Sequence, residues 1–524
     1  MMKVVKMKKV NQLKAGVILS YISLGLASFV SLLYTPVMLR LLGQSEYGLY
    51  SLSLNIIGYL GILDFGLGNA VIRYTAKYRA LDDREEEANL HGMFIVIYSI
   101  LAIIIILAGG VLVLNCKMIF KRTLTVNELY RIRILMSILI FNLAISFPLG
   151  VFEGIISAYE HFIFPKILSI IRTIINPLIM LPLLFMGYQS VGMTIAMTIV
   201  NIIFSAINMY YCFRILNIKL KFNKFNFQVI REISGYSFFI FLNIIVEKIY
   251  WSTDQFILGA VSGTVAVAIY SVGSTINNYY INFSTAISGV FLPRITRMVT
   301  KNASDEEISK LFVKTGRIQY ILMTFILSGF ALFGQEFIYT WAGEGYGEAY
   351  YIALVVMIPL TIPLIQNVGI TILQAKNIHQ FRSKVYIVIA VLNVAASIPL
   401  AKAFGGVGAA LASAGAMIIG NIIVINIFYY KKAKINIPYF WKNIFIMTLP
   451  VAISIIIGKF INVFINISGY LGIIIKGCIF SVIFFILMWS LGMNTYEKDM
   501  FRIPIIKIKN KVLFYRKGIR RFIQ

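Results

Sequence analysis

GMFIVIYSILAIIIILAGGVLVLN, Gly92–Asn115, contains no charged side chain from end to end. A helix needs ~20 mostly apolar residues to cross the hydrocarbon core of a bilayer, and this stretch has no polar face to turn toward water. It predicts a spanning helix near 91–115. The same ruler, carried outward, finds segments near 15–41, 47–72, 132–158, 163–186 and 190–214. A basic linker follows, KLKFNKFNFQVIRE (Lys219–Glu232). A second set lies near 233–259, 264–292, 315–340, 347–374, 383–403 and 408–430. A last pair is expected near 441–464 and 469–492, before a basic tail from Lys498 to Arg521.

Composition agrees. Hydrophobic residues make up 59% of the 524 positions and charged residues 13%, against ~25% charged in soluble domains. No stretch supplies the polar shell that a soluble domain of this length needs. The expected fold is an all-α polytopic membrane protein of about fourteen helices. Its expected parts are an N-terminal six-helix lobe (1–218), a cytoplasmic linker (219–232), a C-terminal six-helix lobe (233–436), an extra helix pair (437–492) and a basic cytoplasmic tail (493–524).

The net charge is +27, from 48 Lys+Arg against 21 Asp+Glu. The basic residues are dispersed between apolar runs rather than gathered on one aromatic-interleaved surface, which argues against nucleic acid as a partner. With a cytoplasmic N-terminus the inner loops collect about 37 of the 48 basic residues, the distribution that orients membrane helices. The loop carrying Glu336, Glu344 and Glu348 then falls outside, and both termini fall inside the plasma membrane. Three cysteines and three histidines stand singly, with no metal-ligand spacing and no disulfide framework. No cofactor or metal site is expected, and no phosphate loop, zinc-protease or nucleophile-elbow motif occurs.

The two six-helix sets read as a duplication. LLGQSEYGLYSL (Leu41–Leu52) and ILGAVSGTVAVAIYSV (Ile257–Val272) each carry a Leu-Gly and then a Tyr-Ser. An inner arginine follows each, Arg73 and Arg294. Val191-Gly192 and Val407-Gly408 open the sixth helix of each set, and Tyr210-Tyr211 and Tyr429-Tyr430 close it. Two six-helix units share one orientation, which is a transporter architecture.

Charged groups within a spanning helix cost on the order of 2.5–3.5 kcal/mol at its centre, so they normally meet a partner or a watery cavity. On the seventh helix Asn243, Glu247 and Asp254 form one polar stripe with Trp251 alongside, and Lys248 lies about 100° round from Glu247. That pattern suits a cavity-lining helix; for Asp254 an excursion toward the outer end fits as well. On the fourth helix Asn142, Ser146, Gly150 and Glu153 share a face, as do Ser169, Arg172 and Asn176 on the fifth. Glu153 and Arg172 are expected at one depth as an ion pair, either for neutralisation or as a site that frees Arg172 for an anionic ligand. Asp64, between Gly61 and Gly68, fits a packing anchor or a proton site. Arg40 and Lys476 lie nearer an edge. Asn277, Asn278, Tyr279 and Tyr280 offer amides and aromatic faces to a sugar or mark an interface. Gly408, Ala412, Ala416 and Gly420 read as a packing seam.

The chain resembles the Wzx-type polysaccharide flippases of the multidrug/oligosaccharidyl-lipid/polysaccharide exporter superfamily. The resemblance rests on LLYTPVMLRLLGQSEYGLYSLSLNIIGYLGILDFGLGNAVIRYTAKY (Leu32–Tyr78), FPLGVFEGIISAYEHF (Phe147–Phe162), TDQFILGAVSGTVAVAIYSVG (Thr253–Gly273) and the Pro293-Arg294 helix end. It implies alternating access, with undecaprenyl-diphosphate-linked oligosaccharide as substrate in a bacterial cytoplasmic membrane. Arg40, Arg172 and Lys248 would then meet diphosphate or acidic sugar, with Asn243, Trp251, Asn277 and Tyr280 in the same substrate cavity. Asp64, Glu153, Glu247 and Asp254 become candidate carriers for proton or sodium coupling. Polysaccharide polymerases or glycosyltransferases are the implied protein partners. The alternatives are a multidrug or small-molecule antiporter of the same architecture and, from another class, a membrane-embedded glycan polymerase or ligase.

Overall fold

The structure is a computed structural model describing residues 12–223, 227–301, 303–376, 378, 380–500 and 502. The side chains of Asn243 and Glu247, with a few others, lie outside the described residues, as does nearly all of the basic tail. Among the described residues there is no strand. The helices are α1 (Gln12–Leu60), α2 (Leu67–Ala80), α3 (Arg84–Phe120), α4 (Val126–Ala158), α5 (Ile163–Phe185), α6 (Gln189–Arg214), α7 (Phe227–Val261) and α8 (Thr264–Thr300). They continue as α9 (Asp305–Trp341), α10 (Glu348–Ile365), α11 (Val368–Ala375), α12 (Gln380–Met417), α13 (Ile425–Lys431), α14 (Ile437–Phe464) and α15 (Gly469–Leu487).

Ten helical stretches among the described residues are long and apolar enough to cross a membrane. One of them, Ala15–Ala80, has 66 residues; as a single straight rod it would measure about 100 Å against an apolar core of ~30 Å. It folds back instead. Gly43 adopts φ 73°, ψ 171° and breaks α1 in two, and Gly405 at φ 57° does the same to α12. Beyond Gly405 the chain passes so close to itself that a Cβ at Gly408 would lie 1.9 Å from the Leu400 carbonyl oxygen. That accounts for one glycine of the expected seam by a turn rather than by a neighbouring helix.

The turn glycines also correct the repeat. Leu42-Gly43 and Leu258-Gly259 look equivalent in sequence, but the second turn falls at Gly263 (φ 85°). Gly259 is helical and lies against Leu52. Gly43 precedes Tyr50-Ser51 by the same interval at which Gly263 precedes Tyr270-Ser271, so the matching landmarks are the turn and the Tyr-Ser.

The expected helix over 47–72 is interrupted. Gly61–Asp64 tightens into a 3₁₀ turn, Phe65 (φ 52°) and Gly66 (φ 73°) are left-handed, and α2 then restarts at Leu67. The expected 347–374 helix is likewise broken, at Gln366-Asn367, whereas the 408–430 helix runs on through a wide π-type turn over Ile418–Val424.

The chain packs as two units. The first comprises Met1–Ile276, Trp341–Ala353 and Arg382–Ala416; the second comprises Asn277–Thr340, Leu354–Phe381 and Met417–Gln524. This division runs across the six-six-two order, because α7 lies along α1 and its Asp254 is bound from α12. The interior of the first unit includes Leu49, Leu52, Phe94, Ile105, Leu135 and Ile155. In the second, Phe325 lies 5.2 Å from Phe484 and Phe312 lies 5.0 Å from Phe440, ring centre to ring centre. Apolar association has little drive in lipid, so close packing and polar staples must hold such helices.

Two ion pairs staple α9 to the last helix pair. Arg317 binds the Glu497 carboxylate twice, Nε–Oε1 at 2.6 Å and Nη2–Oε2 at 2.9 Å, and also donates to the carbonyls of Asn443 and Gly492. Toward the other end of α9, Lys476 Nζ meets Glu336 Oε2 at 2.7 Å.

Candidate functional site

Asp254, in α7, is 4% exposed. It lies about two turns before the end of α7 at Val261, packed among neighbouring helices. Its carboxylate accepts three hydroxyl bonds: Tyr270 Oη at 2.7 Å, Ser397 Oγ at 2.8 Å and Ser413 Oγ at 2.5 Å. Asn393 completes the shell, donating to Ser413 Oγ at 3.2 Å and accepting from Ser397 Oγ at 3.3 Å. Ser397 and Ser413 come from the two limbs of α12, which the Gly405 turn lays side by side. Among the described residues no basic side chain stands within ion-pair distance of Asp254. An uncompensated carboxylate in a shell of neutral oxygens can hold a proton or a hard cation.

Arg172 forms a second polar centre in the same unit. The expected pair with Glu153 is not made: Arg172 Nη2 donates to Asn201 Oδ1 at 2.8 Å. Glu153 is exposed and acts on the guanidinium only from a distance. Asn201 Nδ2 in turn donates to Asn142 Oδ1 (2.7 Å) and Ser146 Oγ (2.6 Å). The α4 and α5 stripes thus do converge, through an α6 amide that stripe-reading on α4 and α5 could not reveal. Where α4 turns into α5, burial and the Glu87 carboxylate push the Tyr159 phenol up to about 12. Burial, and then Arg79, hold the His161 imidazole below its ordinary value.

Asp64 ends the break between α1 and α2 and accepts from Tyr98 Oη at 2.6 Å. Lys248 packs against Gly58 and holds its ammonium 5.7 Å from the Tyr59 ring centre. Beside it Tyr59 Oη and Thr253 Oγ1 are 2.8 Å apart, and Asn55 donates to Gln255. Lys248 therefore lies on a polar seam between α1 and α7. Arg40 and Trp251 are exposed. Asn243 and Glu247 have side chains outside the described residues.

The second unit holds the remaining candidates. Tyr280 is 1% exposed and its hydroxyl is engaged by Thr361 Oγ1 at 2.8 Å and the Met323 carbonyl at 3.1 Å. That is a packed tyrosine rather than an open sugar platform. Asn277 is buried, with no hydrogen-bond partner for Oδ1 among the described residues.

Sequence reasoning missed a carboxylate cluster where several helices begin. Glu128 closes a capping box with Thr125 at the start of α4. It also accepts from Ser45 Oγ at 2.6 Å, just past the Gly43 turn, and from Thr264 Oγ1 at 2.8 Å, just past the Gly263 turn. Nearby, Glu46 pairs with Arg131 at 2.7 Å and accepts from Ser190 Oγ at the start of α6. Four helix N-termini with their positive dipole ends thus gather round two carboxylates. The segment Trp341–Ala353 closes on the same region, where Gln44 Nε2 donates to the Gly345 carbonyl at 2.5 Å and Trp341 Nε1 to that of Leu32 at 2.7 Å.

Comparison with known proteins places this arrangement. Residues 13–299 match the family described as "Polysaccharide biosynthesis protein". Among solved structures, the chain is similar to a lipid II flippase, MurJ, in an inward closed conformation. The TM-score is 0.70 at 15% identity, over 94% of this chain and 99% of that one. It is also similar to an inward-facing multidrug resistance MATE family transporter, at TM-score 0.62 and 14% identity over 77% of this chain and 96% of that one. The MATE transporter VcmN of Vibrio cholerae follows at TM-score 0.52 and 16% identity, over 82% and 98%. No curated protein matches the chain. The matched residues span more than half of the sequence, and the chain belongs to the polysaccharide biosynthesis protein family, in a multi-pass fold shared with flippases and multidrug exporters.

Proposed function

We propose that the protein is a flippase that moves an undecaprenyl-diphosphate-linked oligosaccharide across a bacterial cytoplasmic membrane by alternating access, for export of a cell-surface polysaccharide. The observation that carries the reading is coverage within one fold. The lipid II flippase is matched over 94% of this chain, whereas the two multidrug transporters are matched over 77% and 82%. The family match to polysaccharide biosynthesis points the same way. The order six, six and two, with both termini cytoplasmic, belongs to the same proposal.

Transport against a gradient requires a group whose ion affinity differs between two conformations. Asp254 is the strongest carrier candidate, because its shell offers oxygen donors and no counter-charge among the described residues. The coupling ion in this reading is a proton or sodium. Asp64, Glu153 and Glu247 are secondary carriers. Arg172 and Lys248 are the cations that would meet the diphosphate, with Arg40, Asn243, Trp251 and Asn277 in supporting positions. A polysaccharide polymerase or glycosyltransferase would act beside it.

Reconstitution into proteoliposomes tests the proposal. A fluorescent undecaprenyl-diphosphate oligosaccharide in the inner leaflet should become accessible to an outside glycosidase only when the protein is present. Failure of that movement, together with ion-driven export of small cationic drugs, would assign the chain to antiport instead.

A further inference from the structure

The reading as a diphosphate-lipid flippase leaves open how the protein holds a charged headgroup in mid-bilayer. We infer that Asn201 is a positioning residue that aims the Arg172 guanidinium at the substrate's diphosphate while leaving its charge uncancelled; this inference rests on the proposed function.

Three observations carry it. Arg172 lies about 14 Å along α5 from its start at Ile163, near the middle of the apolar core. Asn201 and Asn142 are likewise near the midpoints of α6 and α4. Second, the orientation of the Asn201 amide is fixed by chemistry. A guanidinium can only donate, so the amide turns Oδ1 toward Arg172, and Nδ2 is left to donate to Asn142 Oδ1 and Ser146 Oγ. Ser146 is itself held by its bond to the Asn142 carbonyl at 2.6 Å.

Third, the holder is neutral. Among the described residues the one hydrogen bond of Arg172 goes to that amide oxygen, and Glu153 stays beyond ion-pair distance. Arg172 is half-buried, and the rest of its fork of N–H donors is uncommitted. A planar fork with spare donors matches the paired oxygens of a phosphate group. A carboxylate at 201 would fix the guanidinium as firmly but would cancel the charge. The amide fixes without cancelling, which is what reversible binding of an anion in a low-dielectric setting requires.

Asn201→Asp separates this role from a structural one. The replacement puts an ion pair where a neutral bond stands, and Asn142 can turn its amide to donate, so thermal stability in detergent should be kept. Binding of inorganic pyrophosphate to the purified full chain, followed by calorimetry, should weaken about tenfold or more through loss of a charge-assisted fork. KM for the lipid-linked substrate should rise by a similar factor with kcat little changed. Arg172→Gln should show the same loss and serves if the first variant folds poorly. Pyrophosphate binding by either variant at the level of the unmodified protein, or no binding by the unmodified protein, overturns the inference. The proposed function is judged separately, by transport of lipid-linked oligosaccharide by the unmodified protein.

Discussion

At the scale of single residues, Asp254 bears the sharpest prediction. Its three hydroxyl donors need an acceptor, and Asn can still offer one oxygen while giving up the ionisable group. Asp254→Asn should therefore fold, with a stability loss of about 1–3 kcal/mol for imperfectly matched hydrogen bonds. Uphill, gradient-driven transport should disappear while exchange without a gradient persists. Uphill transport equal to the unmodified protein would remove Asp254 from the coupling step. The residue could be suspected from sequence because an acid within an apolar helix is conspicuous. Its partners could not: Ser397 and Ser413 look like any other small polar residues of a membrane helix, and only the fold at Gly405 brings them to one carboxylate. Asn201 escaped notice for a related reason, since a lone amide on α6 gains meaning only from the α4 and α5 stripes it joins.

At the scale of elements, the glycine turns and ion pairs decide most. The apolar runs located the helices because a bilayer leaves the backbone little choice but helix. The breaks at Gly61–Gly66 and Gln366-Asn367 were not legible, since one or two polar residues inside an apolar run do not by themselves mark a break. Gly48 shows how tightly the elements meet: a Cβ there would lie 2.0 Å from the Thr264 carbonyl oxygen. Gly48→Ala should force the start of α8 away, and Glu128→Ala should release Ser45 and Thr264 together while costing the α4 cap about 1 kcal/mol. In a Gln44→Cys background both changes should speed labelling by a membrane-impermeant thiol reagent; an unchanged rate in both would mean that these contacts do not hold the region shut. The Arg317–Glu497 pair makes a different kind of claim. Removing one buried partner strands the other, so Arg317→Met alone should cost about 3–5 kcal/mol, and adding Glu497→Leu should recover most of it. Thermal unfolding in detergent reads both, and equal melting of the single and double variants would contradict the account.

At the scale of the whole molecule, the proposed alternating access predicts that the contacts round Gln44 and Gly345 break in each cycle. A short thiol cross-linker joining Gln44→Cys to Gly345→Cys, with exposed Cys478 replaced by Ser, should stop transport, and a reductant-cleavable linker should restore it. Transport that continues under full cross-linking would exclude motion there. The class of architecture was open to sequence reading because length and hydropathy both report on the bilayer. The grouping of helices into packing units was not, because a second-set helix such as α7 commits to the first unit through side-chain pairs such as Tyr59–Thr253.

The double staple on α9 reaches further than the stability of the last helix pair. α14 and α15 present a nearly unbroken apolar skin, with Phe445, Leu449, Phe464, Leu471 and Ile486 more than half exposed. A bilayer thicker or thinner than that skin strains it, at fractions of a kcal/mol per ångström of mismatch. Because Glu336–Lys476 and Arg317–Glu497 grip α9 at separated points along its length, that strain is handed to α9 and not absorbed by a loose hairpin. The transport rate in vesicles should then pass through an optimum as acyl chains lengthen, an optimum that flattens once both ion pairs are removed.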